Sequence, residues 1–319
     1  MSLTGQMRRM HFHRALLVAL LALLCLPSAA VAQYFGRNKV QYRTFDFQIL
    51  KTEHFDLYYY PEEAEAAQVV ARMAERWHSR LSRFFGHDLR GRQAVILYAA
   101  GSHFRQTNAV DGLIGEGTGG VTEGIKRRVV LPMSGSLADT DHVLGHELVH
   151  AFQFDLTGTD PREASGAEGA PGILAYPLWF VEGMAEYLSL GPVDTQTAMW
   201  LRDAALREKL PHIRDLDSPD YFPYRWGHAF WAFIGAKYGD RAAASLIRSA
   251  ANPRFDLMGL AAQLGTDPDT LTAEWHAAIL ASTRAVADEL SSLTSSPQLV
   301  LDRAGGGGRY NVGPRVSPD

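Results

Sequence analysis

The sequence has a single cysteine, Cys25, close to the N-terminus. That residue lies in a segment we expect to be cleaved off, so the mature chain would have none. Without cysteine, no disulfide framework forms and no thiolate is available to a metal ion. Any metal site in the mature chain therefore has to use histidine and carboxylate ligands.

The apolar run near the N-terminus, from Ala15 to Leu26, is too short for a comfortable membrane span. Three arginines precede it, and the Ala-Val-Ala at residues 30–32 fits a small-residue cleavage site. This pattern predicts a secretory signal peptide over residues 1–32, with an uncleaved anchor as the alternative. The mature chain is then expected to be periplasmic or secreted, without a membrane span.

Positive charge is also scarce. The sequence has 31 Lys and Arg against 35 Asp and Glu. Residues 1–32 contain three of the arginines and no acidic residue, so 28 basic residues remain against 35 acidic ones, a formal charge of −7. This balance argues against nucleic acid as a partner.

Apolar residues recur with different spacings in the two halves of the chain. The first half predicts a β-hairpin over residues 45–60, a helix over 62–85, a strand in "AVILYAA", a glycine-rich loop over 112–120 and one strand in "VTEGIKRRVVLP". The second half is helical almost throughout, and a loop is expected between Leu156 and Tyr176. We therefore predict an α+β fold with a strand-bearing N-terminal half and a helical C-terminal half. The predicted helices lie near Asp139 to Asp155, Pro177 to Leu190, Asp194 to Lys209, Tyr224 to Tyr238, Arg241 to Ala251 and Thr270 to Leu290.

The stretch "DHVLGHELVHAFQFD" holds three histidines at four-residue intervals. Two histidines at i and i+4 share one helix face and can bind one ion, while a glutamate after the first can act as a general base. The pair His146 and His150 places Glu147 in that position, whereas His142 and His146 would place Val143 there. We therefore predict zinc binding by His146 and His150, with His142 at the surface or supporting the site.

A catalytic zinc ion needs a third protein ligand and one open position. The predicted helix "PLWFVEGMAEYLSL" carries Glu182 and Glu186 one turn apart in an otherwise apolar segment. One carboxylate can bind the metal while the other orients a histidine. The spacing alone does not decide between them, and each taken alone could be a surface charge.

"HELVHAFQ" followed by "WFVEGMAEY", with 31 residues between His150 and Glu182, resembles the gluzincin branch of zinc metallopeptidases. The likeness is to the thermolysin-like, peptidase MA-like domains of bacterial envelope proteins, and it covers most of residues 45–290. It implies a zincin-like domain over residues 33–295, with the metal cleft between the two halves. One departure is the longer spacing to Glu182, which the loop from Thr157 to Tyr176 accounts for.

The resemblance also implies roles for individual residues. His146, His150 and Glu182 would bind zinc, and Glu186 would hold a histidine. Glu147 would be the general base of an exported endopeptidase that acts on peptides or proteins. The competing hypothesis is a non-catalytic envelope binding module with a vestigial or structural zinc site.

A hydrogen-bond donor should also face the oxyanion that develops during peptide hydrolysis. "YFPYRWGHAFW" offers Tyr221, Tyr224 and His228. The resemblance favours Tyr224, and aromatic packing is the alternative. The strand in "GIKRRVVLP" could pair with an extended substrate, or its basic residues could protect an exposed sheet edge.

The C-terminal residues contain a glycine run followed by "RYNVGPRVSPD". This segment resembles the opening strand of a TolB-type β-propeller. We expect residues 296–319 to be a linker and a truncated propeller start, and we expect envelope proteins to be partners of the missing propeller. An ordinary tail is the alternative.

Overall fold

The structure is a computed structural model that describes residues 39–110, 112–124, 126–158, 173, 176–249 and 255–289. The expected signal peptide and the expected linker with its propeller start lie outside these residues. Most of the expected loop between Leu156 and Tyr176 lies outside them as well.

Five strands form one mixed sheet: β1 (Gln48–Lys51), β2 (Phe55–Tyr59), β3 (Gln93–Tyr98), β4 (Val121–Glu123) and β5 (Arg128–Pro132). Their order across the sheet is β1-β2-β3-β5-β4. The three central strands β2, β3 and β5 are parallel, and β1 and β4 run antiparallel to their neighbours. The expected hairpin is confirmed as β1 and β2.

The region of β4 and β5 corrects the sequence interpretation. We predicted one strand over residues 121–132, but two antiparallel strands place Glu123 opposite Arg128. In the turn between them Arg127 has a φ of 52°, and the Lys126 backbone N–H donates to the Glu123 carboxylate at 3.0 Å. Because β5 lies between β3 and β4, the basic strand is not the sheet edge that we expected. The short strand β4 is that edge.

The described helices occupy the positions that the periodicity predicted, to within a few residues, with two additional helices at Gly101–Phe104 and Leu257–Gln263. An amphipathic helix has apolar residues that recur on one side. The helix Ala64–Phe85 shows this, because its Val70, Trp77 and Leu81 side chains are buried. It ends at Gly86, whose φ of 58° suits glycine. The helices are α1 (Ala64–Phe85), α2 (Gly101–Phe104), α3 (Leu137–Thr157), α4 (Leu178–Leu190), α5 (Thr195–Leu206), α6 (Pro223–Tyr238), α7 (Asp240–Ser249), α8 (Leu257–Gln263) and α9 (Pro268–Glu289).

Helix α3 is central to the molecule. Its first turn is capped by the Ser136 side chain, which accepts hydrogen bonds from two backbone N–H groups. Every residue from Leu144 to Gln153 is buried, so the helix is enclosed on all sides here. Gly145 permits the close packing, because a Cβ there would lie 2.5 Å from the Trp77 ring.

Helices α4 and α6 cross in close contact at two glycines. A Cβ on Gly183 would lie 2.3 Å from the backbone of Gly227, and a Cβ on Gly227 would lie 2.0 Å from the Trp179 carbonyl oxygen. Any larger residue at either position would push the helices apart. This crossing fixes Glu182 of α4 relative to Tyr224 of α6.

The α+β prediction is confirmed, with the sheet in the N-terminal part and helices making up the rest of the described chain. No described helix combines the length and the apolar character that a membrane span needs. The main core lies between the sheet, α1 and α3 and continues among the later helices, while a smaller apolar cluster covers the other sheet face.

Candidate metal centre

Three side chains from the two central helices converge on one point. His146 and His150 extend from α3, and Glu182 extends from α4. The two Nε2 atoms lie 3.1 Å apart, and the Glu182 Oε2 atom lies 3.1 Å from His146 Nε2 and 3.2 Å from His150 Nε2. The three atoms thus form a nearly equilateral triangle.

The size of this triangle fits a small tetrahedral metal ion. Ligand atoms about 2.0–2.1 Å from a tetrahedral zinc ion lie roughly 3.3–3.4 Å from one another. The measured separations are shorter than this by only about 0.2 Å. The triad therefore fits zinc in geometry and in ligand type.

Hydrogen bonding fixes the tautomer of His150. The Gln153 side chain donates through Nε2 to the Val181 carbonyl at 3.0 Å, so its Oε1 faces the His150 ring. His150 Nδ1 donates to that oxygen at 2.8 Å. The Nε2 atom of neutral His150 consequently presents a lone pair to the triad.

A carboxylate lies beside the corresponding nitrogen of His146. Its Nδ1 atom lies 3.1 Å from Glu186 Oε1, and a carboxylate can only accept. The nearby carboxylate favours a proton on Nδ1, and neutral His146 in that tautomer presents an Nε2 lone pair to the triad. Two imidazole lone pairs and the Glu182 carboxylate oxygen would repel one another unless a proton or a cation lies between them.

The charges within the triad act strongly on one another. Burial lowers the pKa of His146, but the Glu182 and Glu186 carboxylates raise it above its usual range. Burial raises the pKa of the Glu182 carboxyl, whereas His150 and His146 lower it far below its usual range. Because protonated histidine cannot bind a metal ion through that nitrogen, a divalent cation would compete with protons for the Nε2 atoms of His146 and His150.

Glu186 links the triad to a positive group that sequence reasoning missed. Its Oε2 atom lies 3.0 Å from Arg225 Nη1, and the same nitrogen lies 3.2 Å from Asp194 Oδ2. Glu186 also lies 3.5 Å from His142, which stays outside the triad. The sequence did contain a signal for Arg225, which is a charged residue among the aromatics of "PYRWGHAFW". A largely buried arginine needs carboxylate partners.

Glu147 lies on the same helix as the two histidines and is 6% exposed. Thr122 of the edge strand β4 donates to Glu147 Oε2 at 2.6 Å. Gly120, just before β4, makes room for this side chain, because a Cβ there would lie 2.8 Å from Glu147 Cγ. Sequence reasoning did not single out Thr122, because the pairing joins residues 25 positions apart.

The three residues considered as hydrogen-bond donors to the oxyanion, Tyr221, Tyr224 and His228, have different surroundings. Tyr224 stacks on the His146 ring with centroids 5.9 Å apart, and the Glu182 carboxylate acts on its hydroxyl. Burial and the Glu182 charge raise the pKa of Tyr224, so the phenol stays protonated and able to donate. His228 instead bonds to the Gly191 carbonyl at 2.8 Å, and Tyr221 packs on Trp226. Of the three, Tyr224 lines the cleft.

The triad lies in a cleft with two parts of about 400 Å³ each, which meet at His146, Glu147 and Tyr224. One part is more polar and includes His142 and Arg225. The other is more apolar, and the residues that line only this part include Val110, Val121, Phe154, Ile173, Leu178 and Val181. His146 of the triad therefore faces both parts of the cleft.

Comparison with known proteins gives little further information. No family model matches the chain. An uncharacterised protein of Treponema pallidum (strain Nichols) is 25% identical over 214 residues, which cover 62% of this chain and 18% of that protein. The match therefore spans less than a fifth of this relative.

Proposed function

We propose that the chain is an exported zinc-dependent endopeptidase with a zincin-like core of the gluzincin type. The observation that carries the proposal is the convergence of His146, His150 and Glu182 beside the carboxylate of Glu147 in an open cleft. A purely structural metal site has no use for a carboxylate base in that position.

Zinc held by these three side chains would supply Lewis acidity, which lowers the pKa of water and polarises a peptide carbonyl. Glu147 accepts a proton from the attacking water and passes it to the leaving amine. Tyr224 donates its phenolic proton in a hydrogen bond to the carbonyl oxygen as negative charge develops there. Glu186 and Gln153 keep the two imidazole rings in one tautomer and one orientation.

The substrate would bind as an extended peptide along β4. This strand is the last of the sheet in the described chain, and Val121 and Thr122 line the cleft. Backbone groups on the outer side of an edge strand can pair with an added strand. Such pairing would bring the scissile bond past Glu147, to which Thr122 is hydrogen-bonded.

Cleavage of casein by the purified chain tests this function. We expect peptide fragments in the presence of zinc, none after treatment with 1,10-phenanthroline, and fragments again after zinc is restored. Mass spectrometry of the products would detect the new termini. Stoichiometric zinc binding without any fragments would instead favour the non-catalytic binding module.

Replacement of Thr122 by valine is expected to lower kcat about ten- to a hundredfold while zinc content stays unchanged. The hydrogen bond to the Glu147 carboxylate is worth about 1.5–3 kcal/mol, and each 1.36 kcal/mol is about tenfold in rate. Thr122→Ser keeps the hydroxyl and should retain most of the turnover. Equal turnover in the two variants would show that the hydroxyl does not position Glu147.

A further inference from the structure

A second cavity, of about 530 Å³, lies away from the metal centre. It is bounded by α1, the end of α4 and the start of α7, and it shares no lining residue with either part of the cleft. Helix α4 contributes to both places: Glu182 and Glu186 reach the triad, while Tyr187 and Leu188 line this cavity. Nothing in the proposed peptidase chemistry uses it.

The charge around this cavity is strongly positive, although the chain as a whole is acidic. Arg80, Arg83 and Arg241 line it, together with one carboxylate, that of Asp240. Asp240 already accepts a hydrogen bond from the Tyr187 hydroxyl at 3.3 Å. Three guanidinium groups against one carboxylate leave two uncompensated positive charges.

None of the three arginines has a carboxylate within 4.0 Å among the described residues. Arg83 donates to the Ser79 hydroxyl at 2.6 Å, and the Arg80 guanidinium lies over the Trp77 ring at 5.0 Å. The three arginines are exposed to solvent, and these contacts give their charges no carboxylate partner within the part of the chain that the structure describes. Guanidinium groups match the oxygens of phosphate in pairs, through parallel N–H donors.

The rest of the wall is apolar, with Phe84, Leu188 and Pro192 among the lining residues. A free inorganic anion would contact the arginines alone and leave these surfaces exposed to water. A ligand with both an anionic group and an apolar group would cover both surfaces.

We propose that this cavity binds the phosphate group of an organic phosphate monoester whose organic part is apolar. A phosphate monoester carries a charge of about −1.5 to −2 at neutral pH. That charge balances the two positive charges left by Arg80, Arg83, Arg241 and Asp240. The apolar part of the ligand would lie against Phe84.

Isothermal titration calorimetry with hexyl phosphate tests the site on the full chain loaded with zinc, and again after chelation. We expect binding in both states, weakened about tenfold or more in the double variant Arg83→Gln, Arg241→Gln. Arg72→Gln is the matched control, because Arg72 is an exposed arginine of α1 that does not line the cavity. Binding that disappears on chelation, or that Arg72→Gln weakens equally, would overturn the proposal.

Two further probes distinguish the source of the phosphate. Inorganic phosphate should bind more weakly than hexyl phosphate, since it lacks the apolar group. Vesicles of phosphatidylcholine with phosphatidic acid, compared with phosphatidylcholine alone, test a lipid headgroup. Arginine-dependent binding to hexyl phosphate or to phosphatidic acid supports the site and shows whether the phosphate belongs to a small molecule or to a lipid. Binding to neither contradicts the proposal.

Discussion

Glu147→Gln protein should fold and bind zinc as the wild type does, yet hydrolyse peptides roughly 10²–10⁴ times more slowly. The amide cannot accept a proton from water, which removes the general base and nothing else. Its oxygen can still accept the hydrogen bond that Thr122 donates to Glu147, so the local geometry should persist. Initial rates of casein cleavage, zinc content and the thermal unfolding midpoint measure the three properties.

The control for this variant is Glu65→Gln, which changes an exposed carboxylate on α1 in the same way. It should retain full turnover. Turnover of Glu147→Gln within a few-fold of wild type would contradict the role of Glu147. Loss of zinc in that variant would mean that the substitution disturbs the triad rather than the base.

Glu182→Ala should yield largely zinc-free protein, whereas Glu186→Ala should retain zinc and turn over poorly. Glu182 is one of three converging side chains, so its loss leaves two protein ligands for a metal that requires at least three. Glu186 contacts the far nitrogen of His146, and loss of such a partner typically weakens affinity or activity by about 10- to 100-fold. Metal analysis of both purified proteins separates the two roles.

Among the described residues, removal of Glu186 leaves Arg225 with Asp194 as its one carboxylate partner. Glu186→Gln is therefore the better-matched variant, since it keeps the side-chain shape near Arg225 and His146. It should hold more zinc than Glu182→Gln. If the Glu186 variants retained less zinc than the Glu182 variants in both the alanine pair and the glutamine pair, the metal ligand would be Glu186, one turn further along α4.

The parts of the fold that depend on local sequence were predictable. The turn between β1 and β2, the end of α1 at Gly86 and the shared face of His146 and His150 follow from neighbouring residues. The i, i+4 spacing on a helix dictates that two imidazoles reach one point. These features require no knowledge of distant contacts.

The errors and omissions concern pairings between distant residues. Strand periodicity continues through Glu123 and Arg128, so it did not show the turn between β4 and β5 or which strand is at the edge. Thr122 and Arg225 acquire their roles only when β4 and α6 meet the two central helices.

The choice between Glu182 and Glu186 likewise depends on how α4 is rotated toward α3. That rotation depends on the packing of α4 against α3 and, at Gly183 and Gly227, against α6. Sequence spacing could not supply it, and only the resemblance to gluzincins favoured Glu182.

Anomalous X-ray diffraction at the zinc absorption edge, from crystals of the zinc-loaded protein, tests the metal centre most directly. We predict one strong peak per chain, about 2.0–2.2 Å from His146 Nε2, His150 Nε2 and a Glu182 carboxylate oxygen. A peak at another place, or no peak from crystals grown with excess zinc, would contradict the assignment.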